Sequence, residues 1–147
     1  MPEYQLTKEQ QAVVDDRGGT LLVSAAAGSG KTMVLIDRVL ALVQETQCDL
    51  DRFLMITYTQ AAAAELRGKL IARLSDALAL NPDDRNLQRQ MSRVYLTQIS
   101  TVHSFCATVL RDYAHILDLP AEFSVCDDEE GKKLRACYLF SVRLLLF

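Results

Sequence analysis

Nine residues, SAAAGSGKT from Ser24 to Thr32, supply the residue types that a phosphate-binding loop needs, in the order it needs them. Gly28 and Gly30 permit a tight turn that points successive N–H groups at one anion. Lys31 offers a cation to the β- and γ-phosphates, and the Thr32 hydroxyl is a ligand for Mg²⁺. The helix expected to begin there adds its positive end. The chemistry implied is a nucleoside triphosphate, ATP with Mg²⁺, held by Ala25, Ala26, Ala27, Gly28, Ser29, Gly30, Lys31 and Thr32. The plainer alternative is a glycine turn before a helix with a chance lysine. The pattern departs from GxxxxGK[ST] at one position, where Ala25 stands in place of the first glycine.

A second stretch, FSVCDDEE (Phe123 to Glu130), runs a short apolar segment into four acids. Such a sequence can hold magnesium and activate water. Against that role, the apolar run is interrupted by Ser124. Asp127 with Glu130 three residues later also reads as a helix start, with acids in the first turn and Lys132, Lys133 and Arg135 beyond, the order a helix dipole favours.

These residues must be positioned by alternating strands and helices. LTKEQQAVVD opens with Thr7 as helix cap and Gln10 three residues on, a capping-box pattern, and DRGG breaks that helix. TLLVSA (Thr20–Ala25) reads as a buried strand before the loop. KTMVLIDRVLALVQE follows as a helix with Val34, Leu35, Arg38, Val39 and Val43 at helical spacing. FLMITYT (Phe53–Thr59) is strand-like and enters QAAAAELRGKLIARLSDALAL, an alanine-rich helix. NPDD ends it and starts a shorter one. YLTQIST (Tyr95–Thr101) is a third strand, and VHSFCATVLRDYAHIL a helix with Val102, Phe105, Val109 and Ile116 on one side. The alternation predicts an α/β fold with a parallel sheet flanked by helices.

The totals bound the rest. With 147 residues, half hydrophobic and a quarter charged, the chain suits one soluble globular domain. A net charge of −3 is not that of a compact basic nucleic-acid module, so any DNA contact is local or completed elsewhere. The four cysteines form no CxxC pair, which argues against zinc and for reduced, buried thiols in a cytosolic protein. The polar N-terminus reads as no leader, and the apolar tail CYLFSVRLLLF is too short to span a bilayer.

The ordered set LTKEQQAVV, SAAAGSGKT, ITYTQAAAAELRGKL and ISTVHSFC resembles the start of UvrD-type superfamily 1 DNA helicases. Among them it is most similar to the AddA group of helicase–nucleases, relatives of RecB, in which alanine at the loop's first position is tolerated. The resemblance implies a partial RecA-like P-loop NTPase domain over residues 1–122, with residues 123–147 starting an inserted helical subdomain. Gln10 then matches the glutamine that reads adenine, although a capping box alone explains it as well. Tyr58 matches an aromatic that stacks on a base of single-stranded DNA, with Thr59 and Gln60 on phosphate or sugar; by itself Tyr58 reads as an ordinary strand aromatic. Thr101 and His103 match a further DNA-facing motif, with Ser104 beside them. His115 reads as structural, and Arg67 as belonging to a solvated face.

The resemblance further implies an ATP-dependent motor on single- and double-stranded DNA in a bacterial cytoplasm. It implies 3′-to-5′ movement, work in double-strand break repair, a second subunit of the AddB type and no membrane. In such helicases an F-x-hydrophobic-x-D-x-E element precedes the helical insertion, and Phe123, Val125, Asp127 and Glu129 fit it. The acidic motif that drives hydrolysis comes later, so this chain is expected to hold the cradle without the chemistry. The apolar end after about Ala136 reads as a truncated or frame-shifted terminus. Two alternatives stand beside this: a non-catalytic ATP- or DNA-binding module, and a small P-loop kinase, for which no arginine-bearing lid is visible.

Overall fold

The computed structural model describes residues 5–46, 48–120 and 122–144, and all their side chains except those of Thr46, Asp128 and residues 138–144. Its elements run α1 (Lys8–Asp15), α2 (Lys31–Thr46), β1 (Leu54–Thr57), α3 (Gln60–Leu80), α4 (Arg85–Arg93), β2 (Gln98–Thr101), α5 (Val102–Asp112) and α6 (Asp128–Leu144). They divide into two compact units, Met1–Phe105 and Cys106–Phe147.

In the first unit, β1 and β2 pair in parallel, with Leu54 opposite Gln98 and Thr57 opposite Thr101. A parallel pair needs a crossover, and α3 with α4 supplies it. Helix α3 forms because alanines and leucines favour it and Thr59 caps it, its hydroxyl accepting the Ala62 N–H at 3.1 Å. Asn81-Pro82 ends it, since a residue before proline avoids helical backbone. Leu66, Leu70 and Leu74 recur every fourth residue and are buried, together with Ile36, Val39 and Val43 of α2, Leu87 of α4, and Met55 and Ile99 of the strands. Each such side chain contributes about 1.5–3 kcal/mol by leaving water. The α/β class and the flanked parallel sheet expected from sequence are both present.

One predicted strand is not. Residues 20–25 have no strand pairing among the described residues, and Leu22 is 92% exposed. A run of apolar residues becomes a strand only where a neighbour takes its N–H and C=O groups. Neither β1 nor β2 does so, and Leu21, Leu22 and Val23 line an open cavity instead.

The second unit holds most of α5 and all of α6. Arg111 stacks on the Phe123 ring, 5.5 Å from its centre. Helix α5 buries none of its residues fully, and Val102, Val109 and Ile116 are exposed, contrary to the packed side expected of them. The thiols also depart from expectation: Cys106, Cys126 and Cys137 are exposed and Cys48 is half-buried. Residue type favours burial of cysteine, but only an enclosing core delivers it. The expected apolar surface of the tail falls on residues 138–147, whose side chains lie outside the described residues. Among the described residues no helix is long and apolar enough to cross a membrane.

Candidate functional site

The loop before α2 has the shape its glycines suggest. Gly28 and Gly30 have φ of 77° and 80°, in the left-handed region. A Cβ on Gly28 would meet nothing within 4 Å, so the backbone conformation, not crowding, requires glycine there. The Ser29 N–H closes the turn on Ala26 O at 3.3 Å. Helix α2 starts at Lys31, directing its unpaired N–H groups into the loop. Thr32 is exposed in the first turn. Lys31 Nζ donates to the carbonyls of Ala25 and Ala26, both at 2.6 Å, so the ammonium already sits over the loop. A cavity of about 710 Å³ opens here, lined by Gln10, Ala25, Ser29, Lys31 and Arg38 among others. Turn, helix start and cation together fit a polyphosphate.

Gln10 performs two tasks at once. Its Oε1 accepts the Thr7 N–H at 2.9 Å while Thr7 Oγ1 accepts the Gln10 N–H at 3.2 Å, the complete capping box. Its Nε2 donates to Ser29 O, in the phosphate loop, at 3.1 Å. Helix α1 is held in that position by Arg38 of α2, which donates to Val13 O, and by an Arg17–Glu45 ion pair at 2.6 Å.

The other candidate residues gather at the C-terminal ends of the strands. Because Thr57 and Thr101 are register partners, Tyr58, Thr59 and Gln60 stand beside Thr101, His103 and Ser104. Tyr58 is 99% exposed, and His103 is exposed in the first turn of α5. Thr59 Oγ1 accepts the Ala62 N–H as a cap. Gln60 Nε2 donates to Ser104 Oγ at 2.6 Å, a link that spacing alone did not indicate.

Comparison with known proteins bears on both sets. The sequence pattern of the UvrD/REP helicase N-terminal domain matches residues 6–143. The chain belongs to this family. It is also similar to AddA, the first subunit of the ATP-dependent helicase/nuclease, of Clostridium botulinum, 40% identical over 131 residues, which are 88% of this chain and 10% of that protein. The proteins of the same name from Clostridium novyi and Desulforamulus reducens are 40% and 42% identical over 137 residues, 92% of this chain and 11% of theirs. The chain thus spans about a tenth of the length of the curated relatives it matches.

In this UvrD-type chain the acidic stretch is a helix cap. Asp127 Oδ1 accepts the N–H groups of Glu129 and Glu130, at 2.9 and 2.8 Å, at the start of α6. Arg67 is not solvated as expected. It is half-buried and donates to Val94 O at 3.0 Å and Thr97 O at 3.1 Å, tying α3 to the approach of β2. His115 lies exposed in a 3₁₀ turn, Ala114–Ile116.

Nothing in the sequence signalled the cluster that supports the entry to β1. Gln90 is 0% exposed. Its Oε1 accepts the Leu50 N–H at 2.9 Å, and its Nε2 donates to Asp49 Oδ1 at 2.7 Å and Asn86 Oδ1 at 3.1 Å. The Gln90 hydrogen bond, then the charges of Arg89, Arg93 and Arg52, hold the Asp49 carboxyl below its ordinary range despite partial desolvation.

Proposed function

We propose that this chain is the N-terminal portion of an ATP-dependent DNA helicase of the AddA helicase–nuclease type. In this reading the loop Ala25–Thr32 binds the phosphates of Mg-ATP through backbone N–H groups and the start of α2. Lys31 exchanges its two loop carbonyls for phosphate oxygens, the Thr32 hydroxyl is the chain's ligand for Mg²⁺, and Gln10 offers its amide to adenine. Magnesium-bound ATP supplies the phosphoryl-bond cleavage that drives such motors. Tyr58 stacks on a base, while Thr59, Gln60, Thr101 and His103 line the path of single-stranded DNA. Residues 1–122 belong to the ATP-binding domain and residues 123–147 to the start of the helical insertion.

The observation that carries this reading is the lysine-bearing glycine loop at the start of α2, touched by Gln10 and accompanied by a second set of motif residues at the ends of two parallel strands. The full-length protein would work in the bacterial cytoplasm on DNA, in double-strand break repair, moving 3′ to 5′ beside a second subunit of the AddB type.

A narrower reading applies to the chain by itself: it binds ATP and single-stranded DNA without turnover. The engagement of Asp127 as a helix cap favours this, because the acid best placed by sequence to hold magnesium is occupied with backbone N–H groups. ATP hydrolysis by the 147-residue chain, with and without oligo-dT and beside Lys31→Ala, tests both readings. Binding of a fluorescent ATP analogue that is lost in Lys31→Ala, with no turnover above that control, is the expected result. DNA-stimulated turnover abolished by Lys31→Ala would reject the narrower reading, and nucleotide binding indifferent to Lys31 would reject both.

A further inference from the structure

The two strand ends are joined by a chain of side-chain hydrogen bonds. Gln60 Nε2 donates to Ser104 Oγ at 2.6 Å, and Ser104 Oγ lies 3.0 Å from Thr101 Oγ1. The Ser104 N–H donates to the same Thr101 oxygen at 3.2 Å. One amide and two hydroxyls thereby connect the first turn of α3 to the end of β2 and the first turn of α5. Thr101 is 7% exposed and fixed by the β1–β2 register, so it forms an immobile post, whereas Gln60 is exposed and reaches back to it through Ser104.

We propose that Gln60 and Ser104 are positioning residues, a latch anchored on Thr101 that sets the loop bearing Tyr58 against the helix start bearing His103. The inference rests on reading this edge as a ledge for single-stranded DNA, and it narrows that reading. Gln60 and Thr101 act through each other, and the groups that touch DNA are Tyr58 and His103. A stacking platform binds well only when its backbone is held, because a side chain on an unsupported loop must be ordered at the moment of binding. The latch supplies that order beforehand.

The chain contains no tryptophan. Tyr58→Trp therefore introduces a single reporter whose emission is quenched when a base stacks on it. Oligo-dT is titrated into this background, and into the same background carrying Gln60→Ala, Ser104→Ala, both together, or Ser104→Thr. Each alanine variant is expected to weaken dT binding about three- to tenfold, the worth of one hydrogen bond, and to lower the quench at saturation. The double variant should be no worse than the weaker single one, and Ser104→Thr, which keeps the hydroxyl, should restore both readouts.

Additive losses with a full quench at saturation would describe two independent DNA contacts and overturn the latch. Unchanged quench and affinity in Ser104→Ala would overturn it too. Gln60→Ala alters only an exposed side chain and carries the test should Ser104→Ala fail to fold. A parent reporter that dT does not quench would reject the ledge itself, and the latch with it.

Discussion

Replacing Arg67 by methionine keeps most of the apolar stem and removes the guanidinium that donates to Val94 O and Thr97 O. Val94 and Thr97 are both buried, so few waters can take over from the lost donors. Two hydrogen bonds from a charged group are worth about 1.5–3 kcal/mol each. Relief of the cost of holding a half-buried cation offsets part of this. Val94 O also keeps the Thr97 N–H at 3.4 Å. The net expectation is a loss of about 2–4 kcal/mol, a large part of the roughly 5–15 kcal/mol that holds a domain together. With a urea slope of about 2 kcal/mol/M, the midpoint falls by about 1–2 M at unchanged slope. Urea unfolding followed by far-ultraviolet circular dichroism reads this directly. Arg67→Lys should fall in between, since an ammonium keeps the charge but cannot span two carbonyls with a fixed fork. Midpoints within about 0.2 M of the parent for both variants, a stability change under about 0.5 kcal/mol, would mean that the carbonyls are hydrated and that Arg67 does not hold the approach to β2.

Three further outcomes are expected. Gln10→Glu keeps the oxygen that caps Thr7 and loses the donor to Ser29 O, so it should leave the nucleotide-free melting temperature nearly unchanged. The same variant should weaken binding of a fluorescent ATP analogue about tenfold; parallel changes in both would deny that the two ends of the amide have separate roles. Asp49, held below its ordinary range, binds fewer protons folded than unfolded, so its stabilising contribution is complete above the unfolded carboxylate value of about 4. That contribution fades as pH falls through the lower folded value. Unfolding midpoints should therefore drop less steeply below about pH 4 in Asp49→Asn than in the parent, and identical slopes would refute it. Asp127→Ala should reduce far-ultraviolet helicity, at a cost of about 1 kcal/mol to α6, and leave nucleotide affinity as it was; a loss of that affinity would return Asp127 to the nucleotide site.

Local chemistry made the phosphate loop legible. Gly28 and Gly30 are required by a backbone angle, Lys31 and Thr32 by the anion and its metal, and all four lie within one short stretch of chain. The caps at Thr7, Thr59 and Asp127 are similarly local, each satisfied within three residues. Helix α3 was readable for the same reason, being a long run of strong helix formers bounded by a cap and a proline.

Contacts that span the chain were decided only by the tertiary structure. The sequence marks Gln10 as a cap, but its second bond, to Ser29, exists because Arg38 and Glu45 seat α1 on α2. Arg67 looks like a surface residue until the chain 27 to 30 positions later brings two carbonyls against it. Gln90 is polar by type yet wholly buried, since Leu50, Asp49 and Asn86 together use its amide. Residues 20–25 have the composition of a strand and lack a strand partner among the described residues. Backbone groups cannot pair on composition alone. A residue's type fixes what it can bond, while the fold fixes which partners come within about 3 Å of it.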